Sequence, residues 1–285
     1  MNSLKYLYFE DVEVDFLKKD GHIHTPYCPH GTHDSFQLYI EKAIQNGFHE
    51  ITFTEHAPLP KGFIDPTPMQ DSGMDTNKLE SYINTLDDLK KQYRKDIIIS
   101  SGLEIDFISG FEQETRSFLN TYGKYLDDSI LSVHFLQFQN TYTCIDFSKD
   151  IYLDFIKKVG SPISVYKLYY KTLMDSIKSD LGNFKPKRIG HITLVHKFQH
   201  ALSEKVEDSK EIVAILKEIK NRHLQLDVNS AGLAKPYCLE SYPSLPYILM
   251  AKQLEIPLVF GSDAHQVSDL HQFYYELNKY IENGE

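Results

Sequence analysis

No tryptophan occurs among the 285 residues, there are only three cysteines, and 30 basic side chains face 40 acidic ones. Each shortage excludes something. Cys28, Cys144 and Cys238 are odd in number and lack CxxC spacing, so they fit a reducing compartment, the cytoplasm, better than a disulfide framework. A net charge of -10 opposes unspecific attraction to nucleic acid or an anionic membrane, either of which needs a basic patch. The 19 Tyr and 17 Phe fall at core spacing in helix-like segments and read as packing residues, not as a base-stacking platform. No apolar run reaches the length of a bilayer span, and Met1–Asp11 lacks the apolar centre of a signal peptide. Linkers, internal repeats and low-complexity tracts are also missing, so residues 1–285 read as a single domain, and 41% hydrophobic residues suffice for a sizeable core.

What is present is alternation. Apolar, strand-like runs alternate with helix-like segments almost from end to end, the signature of βα units feeding a parallel sheet. Seven strands are expected, at 21–25, 50–55, 97–104, 129–135, 187–192, 224–230 and 257–262. Asp34 with Gln37 predicts a capping-box start to a helix that Gly47 stops. Asn77 with Glu80 starts another, in which Leu79, Tyr82, Ile83, Leu86, Leu89 and Tyr93 recur at helical spacing. Ser161 before Pro162 predicts an N-cap with proline in the first helical position. Stretches 212–219, 248–254 and 270–281 complete a ring of helices, so the expected fold is an α/β protein, a seven-stranded β/α barrel. Two connections, 57–76 and 137–160, are longer than a barrel needs; long rim loops usually act as lids or select substrate.

The strands share the chemistry of their ends. His22 and His24 close the first, with His30 close behind; His56, Glu104, His134 and His191 close later ones, and Asp263 and His265 follow the last. Barrels build active sites from side chains at the C-terminal ends of many strands. Residues two apart on a strand share a face, so His22 and His24 can grip one ion, and barrel closure makes the first and last strands neighbours, bringing Asp263 to them. A lone strand-end histidine is more often a hydrogen-bonded rim residue, and Glu104 or Asp263 alone could pair with a rim lysine. The same residue types at successive strand ends point instead to a cluster of divalent metals. His33, His49, His196, His200, His223 and His271 lie off this pattern and are expected to be exposed or to sit behind the ligands; Cys28 reads as a buried free thiol rather than a soft ligand.

Several segments resemble the PHP (polymerase and histidinol phosphatase) superfamily, and within it the monofunctional histidinol-phosphate phosphatases. They are Asp20-Gly-His-Ile-His-Thr-Pro-Tyr-Cys-Pro-His30, Phe53-Thr-Glu-His56, Gly102-Leu-Glu-Ile-Asp106, Ser132-Val-His134, Gly190-His-Ile-Thr-Leu-Val-His-Lys-Phe198, Asp227-Val-Asn-Ser-Ala-Gly232, Tyr242-Pro-Ser244 and Gly261-Ser-Asp-Ala-His265. The resemblance covers nearly the whole chain. It implies a distorted, TIM-like barrel with seven strands and three divalent metals, drawn from zinc, iron or manganese, among which an imidazole–carboxylate shell does not choose. By the same resemblance His22, His24, Glu104 and Asp263 would bind the first metal, Glu104, His134 and His191 the second, and His30, His56 and His265 the third. The implied reaction is hydrolysis of L-histidinol phosphate to L-histidinol and phosphate, a step of histidine biosynthesis.

Phosphomonoester hydrolysis is among the slowest uncatalysed reactions, and paired metals both activate water and clamp the attacking and leaving oxygens. Glu104 is expected between two metals, and Asp263 or a metal-held water is the candidate acid for the departing alkoxide. Lys61, Lys197 and Lys235 follow strands on the rim and are candidates to hold phosphate, as is Asn229 to contact substrate. Arg116 joins them only if its helix starts at the mouth. Competing readings are a phosphoesterase of the same superfamily acting on phosphotyrosine or nucleotides, and a noncatalytic metal-binding scaffold, which missing ligands would betray. A deaminase or amidase on a related barrel has less use for His30, His56 and His265. The expected partner is a small phosphomonoester, with no nucleic acid or membrane and an open oligomeric state.

Overall fold

Seven parallel strands succeed one another around the centre of the computed structural model, which describes residues 17–281. The reading made on Met1–Asp11 lies outside those residues. The strands are β1 (Lys19–Ile23), β2 (Glu50–His56), β3 (Ile98–Asp106) and β4 (Ile130–Ser132), then, after a hairpin of β5 (Phe135–Phe138) and β6 (Thr141–Cys144), β7 (Arg188–Ile189), β8 (Gln225–Asn229) and β9 (Leu258–Gly261). The sheet order is β1-β2-β3-β4-β7-β8-β9. Its two edges meet: His24 N donates to Ala264 O at 3.0 Å and Asp263 N to His22 O at 2.8 Å, so the barrel nearly closes. Each expected strand is present, although β4 and β7 shrink to three and two residues.

Among the described residues, eight α-helices surround the sheet: α1 (Phe36–Gln45), α2 (Leu79–Tyr93), α3 (Glu112–Tyr122), α4 (Lys149–Val159), α5 (Pro162–Lys178), α6 (Ser209–Asn221), α7 (Leu245–Gln253) and α8 (Tyr274–Ile281). Strands covered in this way are buried on both faces, which is why β2, β3 and β8 read as nearly continuous buried runs. Ile51, Phe53, Leu103, Leu226 and Val228 join Tyr39, Ile40, Leu86 and Ile215 of the helices in one continuous core. Each such side chain contributes roughly 1.5–3 kcal/mol by burial.

Helix starts differ from expectation where two capping residues compete. Ser35, not Asp34, caps α1, its hydroxyl accepting from Leu38 N; the Asp34 carboxylate instead accepts from Val267 N at 2.9 Å, a tertiary partner. Asp75, not Asn77, accepts the free amide of a 3-10 turn that leads into α2. Ser161 caps α5 with Pro162 in the first turn, as expected.

The expected 137–160 loop is largely ordered. Gln139 and Asn140 both take positive φ, 50° and 58°, the geometry of a tight hairpin turn, and Ser148 caps α4 until Gly160, at φ 111°, ends it. The connection 57–76 does remain an irregular segment until a short 3-10 turn at its end. Low in the barrel, the fully buried Arg188 donates to Asp128 Oδ2 at 2.9 Å. Its guanidinium fits only because Gly21 has no side chain: a Cβ there would lie 2.0 Å from Arg188 Nη1. No helix among the described residues is long and apolar enough to cross a membrane.

Candidate metal centre

The strand ends converge on Glu104. Its Oε2 lies 3.5 Å from His22 Nε2, 3.5 Å from His24 Nε2 and 3.3 Å from His56 Nδ1. Its Oε1 lies 2.8 Å from His191 Nε2 and 3.8 Å from His134 Nε2. Each oxygen thus faces a different group of imidazoles, and Ser132 Oγ donates to Oε1 at 2.6 Å, fixing the carboxylate plane. Among the described residues, three groups offer donor atoms that lie within 4.8 Å of one another and could hold an ion: His22, His24 and Asp263; Glu104, His134 and His191; and His24, Cys28, His56 and His265. His30 closes the last group, its ring centroid 4.9 Å from that of His56 and 5.2 Å from that of His265.

Behind the imidazoles stand carboxylates. His22 Nδ1 meets Asp227 Oδ2 at 3.0 Å, His24 Nδ1 meets Glu55 Oε1 at 3.2 Å, and His134 Nδ1 meets Asp106 Oδ1 at 2.7 Å. In each ring this leaves Nε2 directed at the centre, the arrangement in which a supporting anion fixes the tautomer and raises ligand basicity. His30 and His265 donate Nδ1–H to backbone carbonyls of Asp71 (2.8 Å) and Asp263 (3.0 Å) instead. Gly261 makes room for the first pair, since a Cβ there would lie 2.6 Å from Asp227 Oδ1 and 2.7 Å from His22 Cβ. Asp263 sits at φ 53°, a left-handed backbone that aspartate tolerates better than most residues, and its Oδ1 lies 3.1 Å from His24 Nε2.

The electrostatics call for cations. Burial opposes ionisation of Glu104 and Asp263, yet the neighbouring imidazoles, His22 foremost, hold both carboxyls well below the usual range. Burial likewise disfavours protonated His22, His24 and His134, but the carboxylates override it, lifting His24 to about 9 and His134 to about 10. Burial and adjacent imidazoles push His56 and His265 well below their ordinary value, which keeps them neutral donors. Among the described residues, His22 Nε2, His56 Nδ1 and His191 Nδ1 are buried without a hydrogen-bond partner. Five buried or nearly buried carboxylates, neutral imidazoles and unpartnered ring nitrogens are a donor set that divalent ions fit.

Above the centre opens a cavity of about 410 Å³, lined at its base by His30, His56, Glu104, His134, His191, Asp263 and His265. Its walls come from the irregular 57–76 segment (Asp71, Ser72), the hairpin and its exit (Phe135, Cys144, Asp146, Phe147), and the segments after β7 and β8 (Leu194, Lys197, Ala231, Lys235, Tyr242). Of the rim cations expected to meet substrate, Lys197 and Lys235 line it; Lys197 is paired with Asp146 at 2.9 Å. Lys61 is exposed and outside the lining, and Arg116 pairs with Asp180 at 2.9 Å. Asn229, expected to contact substrate, is fully buried and outside the cavity lining, and donates to Asp263 Oδ2 at 3.1 Å. Cys28 is 4% exposed, and burial together with the charge of Glu55 keeps it a thiol. Asp106 and Asp227 escaped the sequence reading although each lies two residues from a site residue on its own strand, the spacing that joined His22 to His24. Glu55 carried no such signal.

The PHP domain model matches residues 20–231. Bacillus subtilis histidinol-phosphatase is 48% identical over 261 residues, covering 90% of this chain and 97% of that protein. A Listeria monocytogenes crystal structure described as a candidate histidinol phosphatase superposes with a TM-score of 0.86 at 39% identity, covering 91% of this chain and 99% of that one. A Lactococcus lactis histidinol phosphate phosphatase, crystallised with zinc, L-histidinol and phosphate, shares the fold at a TM-score of 0.68 and 19% identity, over 93% of this chain and 94% of its own.

Proposed function

This chain belongs to the PHP domain family, and from that premise we propose that it is a histidinol-phosphatase, a phosphomonoester hydrolase that cleaves L-histidinol phosphate to L-histidinol and phosphate. The identity shared with the Bacillus subtilis enzyme carries the substrate assignment, and the convergence of strand-end ligands under the cavity supplies the chemistry. On this reading the reaction is a step of histidine biosynthesis; three free cysteines favour a reducing compartment such as the cytoplasm, and the lack of linkers favours one domain over residues 1–285.

Three divalent ions, zinc, iron or manganese, would be held by His22, His24, Glu104 and Asp263; by Glu104, His134 and His191; and by His30, His56 and His265. Bound there, such ions supply positive charge to phosphate oxygens and make water a nucleophile at neutral pH. Glu104 separates two of the sites by presenting one oxygen to each, and Ser132 keeps it from rotating. Asp106, Asp227 and Glu55 hold His134, His22 and His24 in register. Asp263, kept ionised and gripped by His24 and Asn229, would serve as a ligand; an anion this strongly favoured takes up a proton reluctantly and is a poor first donor to the departing alkoxide. Lys197 and Lys235 hold the phosphate from the wall, with Asp146 aiming Lys197. At the mouth, Asp71 offers anionic charge to the ammonium and imidazole of the substrate.

The test is phosphate release from histidinol phosphate, phosphotyrosine and p-nitrophenyl phosphate, with metals quantified on the same preparation. Selective turnover of histidinol phosphate by metal-loaded protein is expected. Equal kcat/KM on all three would leave only a general metal phosphoesterase.

A further inference from the structure

Away from the metals, a second buried polar cluster joins three rim elements. His196, 7% exposed, meets Glu240 Oε1 through Nδ1 at 2.6 Å and Asp208 Oδ2 through Nε2 at 2.7 Å. Neutral imidazole has one N–H and satisfies one such carboxylate; donating to both requires imidazolium. The carboxylates lie on opposite edges of the ring, so the set is not a chelate. Tyr170 donates to Asp208 Oδ2 at 2.5 Å, and Tyr166 stacks on the imidazole with ring centroids 5.4 Å apart.

The two segments that His196 bridges are those that carry the cavity lysines. Residues 194–201 hold Lys197, the next residue along, and 231–240 hold Lys235. Neutral hydrogen bonds also cross between them, His200 N to Tyr237 O at 3.0 Å and Gln199 Nε2 to Cys238 O at 2.9 Å. Tyr152 of α4 holds Val195 O at 3.0 Å. His196 is the charged tie in this seam, and neither the proposed ligands nor the proposed phosphate contacts use it.

We propose that His196 is a positioning residue for phosphate binding: as imidazolium between Asp208 and Glu240 it locks residues 194–201 to 231–240 and so fixes where Lys197 and Lys235 stand over the cavity. This rests on the reading that those lysines hold phosphate. Burial opposes the charge, but the hydrogen bonds it donates to Asp208 and Glu240 lift His196 to about 9. The other titratable groups packed here, Tyr152 of α4, Tyr166 and Tyr170 of α5 and Cys238 beside Glu240, are pushed upward by burial and stay neutral. The tie is therefore intact at neutral pH and is lost as pH rises through about 9.

The test uses metal-loaded full-length protein, with KM for histidinol phosphate and the inhibition constant of inorganic phosphate measured from pH 7 to 10. In His196→Gln both constants should rise on the order of 10-fold at pH 7, as expected when binding groups are displaced from a distance, with kcat and metal content per chain unchanged. In Glu240→Gln, a milder change at a half-buried position that also serves if His196→Gln fails to fold, the alkaline rise in KM should move to lower pH. A packing role alone would not move that limb. Hydrogen exchange of 194–201 and 231–240 should quicken in both variants. Unchanged constants and exchange in Glu240→Gln, or losses that follow metal content, would overturn the proposal. Lys197→Ala with an unaltered phosphate inhibition constant would overturn the lysine reading, and with it the link to phosphate, while the exchange data report separately on the tie.

Discussion

Substituting Glu104 by glutamine is the sharpest test of the centre, because it removes one charge and almost no volume. The carboxylate lies between 2.8 and 3.8 Å from five imidazole nitrogens, with one oxygen on each side. A unit-charge pair about 4 Å apart at an effective dielectric of about 20 is worth about 4 kcal/mol, and an ion on either side loses at least that interaction. At about 1.4 kcal/mol per decade this is roughly a 1000-fold loss of affinity for each of two ions. Glutamine still accepts from Ser132 Oγ through its amide oxygen, so the fold should persist. Elemental analysis after dialysis should therefore show at least one ion fewer per chain, with kcat/KM for histidinol phosphate down by on the order of 1000-fold and an unchanged far-ultraviolet circular dichroism spectrum. Asp106→Asn is the comparator: it weakens only the anion behind His134 and should cost about 10- to 100-fold. Glu104→Gln that keeps its metals and stays within about threefold of the parent kcat/KM, or that proves milder than Asp106→Asn, would refute the bridging role.

Undialysed protein should carry more than two divalent ions per chain by elemental analysis, and full phosphatase activity with no more than one would remove the trinuclear reading. Stopped-time phosphate assays should place kcat/KM for histidinol phosphate at least ~100-fold above that for phosphotyrosine and p-nitrophenyl phosphate, about 2.7 kcal/mol of differential binding. Shortening 57–76, which brings Asp71 and Ser72 to the cavity, should shrink that ratio more than it slows p-nitrophenyl phosphate hydrolysis; an unchanged ratio would show that the segment does not read substrate. His271 is buried against Phe48, and burial pushes it down to about 3. The unfolded imidazole protonates near its ordinary value of about 6.5, so stability is full above that pH and falls below it by at most about 1.4 kcal/mol per unit. His271→Leu should flatten the decline of the urea midpoint between pH 7 and 5, and an identical slope in the variant would dismiss His271 as its source.

The barrel and its centre were legible because both are written in local periodicity. A strand alternates every two residues and ends at a turn, so His22 with His24, His56, Glu104, His134, His191 and Asp263 could be placed at strand ends without knowing any partner. Ser161 before Pro162 marked its helix start for the same reason. Where two local signals stood side by side, as at Asp34 and Ser35, packing chose between them: Val267 N takes the Asp34 carboxylate and leaves the cap to Ser35. The hairpin inside 137–160 went unread because Gln139 and Asn140 are weaker turn signals than Asn-Gly or Asp-Gly. Beyond such local rules the tertiary structure decided. Asn229 belongs behind Asp263, Glu55 backs His24, and His196 ties two rim segments, because residues from 12 to 44 positions apart arrive within hydrogen-bond distance, while Lys61 stays outside the cavity. The residue type at a strand end depends on the strand alone. The partner of a buried polar atom depends on which distant segment the closed barrel sets beside it, and no spacing along the chain encodes that choice.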